Sequence, residues 1–324
     1  MTTETADTPS APPPVSVAAA VSGAAAASAE VERRATVKRW LLSAPALAVI
    51  IGCGMMPLLI IFAYSWTKPA EYAGVIWKFQ PDAWVNVLFQ EDIFSDALSP
   101  NWAYYGIYLR SVLIALQTTV LALIIGFPTA YFIATREQRS RNAWLFLITI
   151  PFWSNLLIRI YAIMMIIRDD GYLNHALIAI GVVDQPLQII FTNYALSYGL
   201  IYAYLPLMVL PLYASLEKLD FRLVEAGYDL YAGRRKVLWY VIIPLVKPGI
   251  VAGSILVFIP AIGDYIIAQI LGGGKRMMLG NLIAQQFGTA RNWPQGSALA
   301  LTLMAVVMIA LVVYATKSQR RRAA

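Results

Sequence analysis

Several windows of about 20 residues in this chain contain no Asp, Glu, Lys or Arg, and that is the length an α-helix needs to cross a hydrocarbon core. Once in lipid, a backbone must satisfy its own polar groups, which leaves helices or closed barrels as the spanning structures. The chain therefore reads as an all-α, polytopic membrane protein. Charged residues make up 13% of the sequence and hydrophobic ones 59%, whereas a soluble domain carries nearly twice that charged share. Six spans are expected, at roughly 40–64, 107–134, 143–167, 191–215, 248–271 and 294–316.

The basic residues sort the loops between these spans. Seventeen of the 25 Lys and Arg residues fall before the first span, after the sixth, or in the loops following the second and fourth. The positive-inside bias then places both termini in the cytoplasm. It also explains the net charge of +7 without nucleic acid, which is not expected as a partner. Residues 1–35 open with Ala, Pro, Ser and Thr, and have no basic stretch ahead of their apolar part. They read as a disordered cytoplasmic tail rather than a signal peptide, with the membrane-spanning body at 36–324. The loop after the first span, about 65–106, holds Trp66, Trp77, Trp84 and Trp102 with Glu91, Asp92 and Asp96. It is long enough for a short interfacial helix.

Reactive chemistry is poorly provided for. One cysteine, Cys53, and one histidine, His175, exclude a disulfide within the chain and argue against a metal centre. No Gly-x-x-x-x-Gly-Lys-Ser/Thr loop is present to cradle phosphates, so ATP hydrolysis by this chain is not expected. An integral-membrane enzyme is the weakest reading.

Between the fourth and fifth spans lies a charged segment, Lys218 to Lys247, which is long for a connector. Asp220 can cap a helix whose apolar positions Leu223, Ala226 and Leu230 recur at helical spacing. Gly233 is a plausible stop, after which Arg234 to Tyr240 can start a second short helix running into Pro244. Such a pair of helices fits a cleft on another protein. It equally fits an amphipathic loop resting on anionic headgroups through Arg234, Arg235 and Lys236.

Glu225-Ala226-Gly227 followed by Val241-Ile242-Ile243-Pro244 resembles the EAA signature of ABC-importer permeases: Glu-Ala-Ala, three residues, Gly, nine residues, Ile-x-Leu-Pro. The spacing from Glu225 to Pro244 matches without a gap. Gly227 stands where the second Ala is usual, and Tyr231 where the Gly is usual. Because tyrosine lacks glycine's backbone freedom, the bend is expected to move to Gly233. The likeness extends over about residues 40–320 and is nearest to the spermidine/putrescine importer permeases. It is carried by Gly126-Phe127-Pro128-Thr129-Ala130-Tyr131, Ile150-Pro151-Phe152-Trp153-Ser154-Asn155 and Leu216-Glu217-Lys218-Leu219-Asp220, with Asn292-Trp293-Pro294 further on.

The resemblance implies an ABC importer type I permease fold of six transmembrane helices in a bacterial inner membrane. It further implies a coupling helix on the cytoplasmic side, with Arg222, Glu225, Ala226, Gly227, Asp229, Tyr231, Gly233 and Pro244 as its contact or shaping residues. The implied partners are two ATPase subunits holding ATP and Mg, a second homologous permease, and an external solute-binding protein. No cofactor on this chain is implied.

Charged groups inside a span usually face a cavity or a partner. Arg159 falls on one face of the third span with Phe152 and Asn155, and Asp264 sits in the fifth span one turn after Pro260. The two are at comparable depth and are candidates to pair. Asp264 is alternatively a path residue attracting an amine, with Trp153, Tyr161 and Tyr265 offering ring faces. The stripe Tyr194, Tyr198 and Tyr202 reads first as a packing face, with Tyr198, Asn155 and Arg159 kept as further path candidates beside it. The expected cargo is a polyamine or related small cation. An opine, an aminophosphonate, thiamine or ferric ion is the alternative, and an ion-driven carrier or channel the alternative class.

Overall fold

The computed structural model describes residues 17–72, 74–91 and 98–323. Asp92 and Asp96 and the first half of the expected tail, residues 1–16, lie outside the described residues. The chain divides into two compact units, residues 1–60 and 61–324. Helix α1 (Val17–Tyr64) begins well before its apolar stretch, so residues 17–35 are helical rather than disordered. Their run of alanines, the best helix former, accounts for this.

After α1 come two short antiparallel hairpins, β1 (Thr67–Pro69) with β2 (Val75–Phe79) and β3 (Phe89–Glu91) with β4 (Leu98–Pro100). Between them lies α2 (Asp82–Leu88), the short helix expected in that loop. Trp66 stacks on Phe79 at 5.4 Å, and Trp84 donates from Nε1 to Ser65 Oγ at 3.2 Å.

The second unit is built on α3 (Trp102–Ala134), α7 (Asn193–Glu217) and α10 (Ile243–Ile262). Ala122, Ala130 and Ile133 of α3 meet Met208, Val209, Leu212 and Leu216 of α7 and Val246 and Val257 of α10. Gly249 and Gly253 let α10 lie against α7: a Cβ at Gly253 would stand 2.8 Å from Met208 Sδ and 3.1 Å from Met208 O. Small residues one turn apart are how membrane helices approach closely, because lipid supplies no hydrophobic drive between them. A second cluster at the other end joins Ile160, Ile163 and Ile167 to Leu196, Leu200, Ile267 and Leu271. A third joins α2 to α12 (Leu279–Phe287) and α13 (Trp293–Ala323) through Val87, Leu282 and Leu299.

Among the described residues five helices are long and apolar enough to span, and counting one bent pair as a single span makes six. Two expected spans are not continuous. The third is α4 (Gln138–Trp153) followed by α5 (Leu156–Ile167), and the helical stretch Leu156–Ala179 that α5 opens is bent by 92° from α4. Pro151 removes a backbone donor near the end of α4. Ser154 and Asn155 are then extended, and Asn155 Oδ1 caps α5 by accepting from Leu157 N at 2.8 Å. A short helix, α6 (Tyr172–Ala179), follows.

The fifth span stops at Ile262 and resumes as α11 (Ile266–Gly272). At its other end it begins early. Helix α9 (Arg234–Val237) continues through a π-helical turn, Leu238–Ile242, into α10. The separate second helix expected over 234–240 is therefore the first part of one helical run ending at Ile262.

Candidate functional site

The 218–247 segment projects α8 (Arg222–Asp229) from the end of α7. Asp220 caps it, its Oδ1 accepting from Arg222 N at 3.0 Å. Val224 turns inward and packs with Phe221, Val237 and Ile242, while Arg222, Glu225, Ala226 and Asp229 are exposed. Gly227 sits over Val237, where a Cβ would approach Val237 Cγ2 to 3.2 Å. The missing methyl group at this position is thus a packing adjustment to the following helix. Pro244 is exposed inside the continuous helical run, two residues after the π-helical turn, where its missing N–H leaves one ladder bond unmade.

The bend is at Tyr231, not at Gly233. Tyr231 has φ +56°, while Gly233 has φ −66° and ψ 158° as the cap of α9. The N–H of Ala232 donates to Gly227 O at 3.1 Å, and that of Tyr231 to Tyr228 O at 2.9 Å. These are the two bonds of a Schellman ending, whose left-handed position favours glycine. Tyrosine there costs about 1–2 kcal/mol. The two cap bonds fix the turn regardless, and the ring, 98% exposed, meets no obstruction.

Asp264 lies in the break between α10 and α11 and is 7% exposed. Its Oδ2 accepts from Tyr204 Oη at 2.6 Å, and its Oδ1 accepts from Ile267 N at 2.7 Å, capping α11. The backbone of Gly263 and Asp264 is closed over by Gly280 of α12, where a Cβ would stand 2.8 Å from Asp264 O. Both carboxyl oxygens are thus engaged within the chain. Arg159 does not pair with Asp264; its guanidinium stands 5.9 Å over the Tyr202 ring, and Nε and Nη1 are buried without a protein partner. The break at Asn155 also removes the shared helical face expected for Phe152, Asn155 and Arg159, since they lie on two helices.

The aromatic candidates line open faces. Trp153 is 86% exposed, and Tyr161, Tyr194, Tyr198, Tyr202 and Tyr265 are exposed too, so the tyrosine stripe does not pack inside this chain's own core. Tyr265 borders a cavity of about 340 Å³ with Gln269, Asn281, Gln285 and Thr289. Tyr204, which the sequence reading passed over, faces the other way on α7. No local signal marks it; only the fold brings it to Asp264, 60 residues on.

A second missed group sits where α7 ends. Arg141 pairs with Glu217 at 3.3 Å and donates from Nη2 to Ala134 O at 3.0 Å, while Tyr213 donates to Glu217 at 2.7 Å. It ties the α3–α4 connection to the helix end from which the 218–247 segment departs.

A helical bundle of spans, two of them broken, with an exposed capped helix projecting from one end, defines a polytopic membrane protein. Residues 112–324 match the family described as binding-protein-dependent transport system inner membrane component. The chain belongs to that family and has the fold of an ABC importer permease, a multi-pass inner-membrane protein. It is 42% identical over 232 residues to the spermidine/putrescine transport system permease protein PotB of Escherichia coli K12, covering 72% of this chain and 84% of that protein. PotB of Salmonella typhimurium SL1344 is likewise 42% identical over 232 residues, covering 72% and 80%. In fold it is similar to a chain of a bacterial ABC transporter that imports the acidic polysaccharide alginate. There the TM-score is 0.61 at 16% identity, with 90% of this chain and 99% of that one covered.

Proposed function

We propose that this chain forms half of the translocation path of an ATP-driven importer for spermidine, putrescine or related small cations. The observation that carries the cargo is 42% identity to permeases named for those two polyamines. In this reading the chain pairs with a second homologous permease, two ATPase subunits and an external solute-binding protein. Both termini are cytoplasmic, as the basic loops favour. The chain holds no cofactor and no ATPase site, and ATP and Mg belong to the partner subunits.

Helix α8 is the coupling element. Glu225 and its exposed neighbours Arg222, Ala226 and Asp229 meet the ATPase, while buried Val224 transfers its displacement to Val237 and so to α10. Closure of the ATPase dimer moves α8, α10 shifts against α7 along the Gly249–Gly253 face, and the path changes its open side. Trp153, Tyr161, Tyr198 and Tyr265 present ring faces to a passing ammonium. Asp264 acts behind them, holding the α10–α11 break beneath Tyr265, and Asn155 holds the α4–α5 break that orients Arg159.

The test is paired. Glu225→Arg should abolish ATPase co-purification and uptake while leaving the permease in the membrane; intact coupling in this variant would refute the dock. Uptake of labelled spermidine and putrescine by the full complex, challenged with an opine, thiamine and ferric ion, checks the cargo. Competition only by the last three would reassign it.

A further inference from the structure

We propose that this chain carries a second binding site, for a neutral polyhydroxyl group, at the end of the bundle opposite α8. The site stands apart from the polyamine path and does not depend on that reading. It is a cavity of about 380 Å³ where α2 and β3 meet the starts of α3 and α13 and the end of α12, a size that takes a small molecule. Six carboxamides line it, those of Asn86, Gln90, Asn101, Gln286, Asn292 and Gln295, together with the rings of Phe89 and Tyr104. No charged side chain lines it.

Gln295 is only 3% exposed. The Tyr104 hydroxyl is near enough to interact with it, yet neither its Nε2 nor its Oε1 makes a hydrogen bond. An unpaired buried amide is costly and rare, and this one stands in the wall of a cavity that can supply its partner. Its neighbours are positioned without being used up. Asn101 donates from Nδ2 to Asn86 O at 3.1 Å and accepts at Oδ1 from Tyr104 N at 3.2 Å, and Asn292 Oδ1 accepts from Gln295 N at 3.1 Å. A carboxamide both donates and accepts, so a ligand matched to six of them must do both as well. Hydroxyl groups do, whereas an ammonium only donates and finds no carboxylate here to balance its charge. Closely spaced hydroxyls on a carbon frame, with C–H faces against Phe89 and Tyr104, fit the lining. Such a group comes from a soluble sugar or from a glycerol-bearing lipid headgroup, since α3 and α13 begin with Trp102 and Trp293, residues suited to headgroup level.

The full complex in a detergent without sugar or glycol groups provides the test, with binding of labelled trehalose and the thermal midpoint measured together. Saturable binding that raises the midpoint is expected. Gln295→Leu removes the unpaired amide at similar volume, so the ligand-free midpoint should hold or rise while trehalose binding weakens roughly tenfold or more. Asn86→Ala, at an exposed position, should weaken binding without touching the fold. Phosphatidylethanolamine discs distinguish the source. A midpoint raised by phosphatidylglycerol, not by phosphatidylserine, and only with Gln295 present assigns the group to lipid. No response to trehalose or to phosphatidylglycerol overturns the proposal. A rise that persists in Gln295→Leu is the general exclusion effect of sugars and also overturns it. Putrescine that displaces trehalose would give the cavity to the cargo and overturn it as well.

Discussion

The hydrogen bond between Tyr204 and Asp264 gives the sharpest way to separate a scaffolding carboxyl from one that meets cargo. It is 2.6 Å long, and its acceptor is 7% exposed in a chain that spans a membrane. Tyr204→Phe leaves one carboxyl oxygen buried without a donor, which costs about 1–3 kcal/mol. Asp264→Asn keeps the shape and an acceptor for Ile267 N, but it changes the partner of the phenol, for a similar cost. If the two groups act as a unit, the double variant loses about as much as either single one, leaving a coupling of roughly 1–3 kcal/mol. Denaturant titration of the purified complex measures all four proteins, and polyamine uptake is read in parallel. Costs that add to within about 0.5 kcal/mol would refute the pair as a structural unit. An Asp264→Asn variant that is as stable as the wild type but blind to polyamines would return the carboxyl to the path.

Two other substitutions test the frame. Gly253→Leu forces a side chain against Met208 Sδ and O and should destabilise the α7–α10 contact by about 1–3 kcal/mol, read as a lower thermal midpoint. Arg141→Gln removes the pairing with Glu217 and the bond to Ala134 O. At this partly exposed site the expected cost is near 1 kcal/mol, but ATP hydrolysed per solute imported should rise, because the α3–α4 connection no longer holds the helix end that carries α8.

Much of the bundle was legible because apolar run length and loop charge are one-dimensional properties. The spans near 107–134 and 191–215 needed only those. The two broken spans needed more. At Pro151-Phe152-Trp153-Ser154-Asn155 and at Gly263-Asp264-Tyr265 the chain stays apolar enough to span while a small polar side chain caps a new helix. Capping residues inside an apolar run were visible, and they are the signal that hydropathy averages away. The Tyr231 turn was misread for a different reason. Propensity favours glycine at a left-handed position, yet two cap hydrogen bonds and an unobstructed side chain outweigh the preference. Tyr204 and Arg141 lay beyond reach, since each acquires its role from a partner 60 or 76 residues away.

The π-helical turn at Leu238–Ile242 sets the phase of everything after it. A π segment carries one surplus residue relative to an α ladder, and each residue of an α-helix turns the chain by about 100°. Removing one residue from a regular α stretch would rotate everything downstream by that angle, whereas removing one between Val237 and Ile243 would let the turn close as ordinary α-helix. The surplus residue is thus absorbed locally, and Gly249 and Gly253 keep their place against α7. The π turn in this sense takes up one residue of slack between the 218–247 segment and the span, so that the face carrying the two glycines stays set against α7.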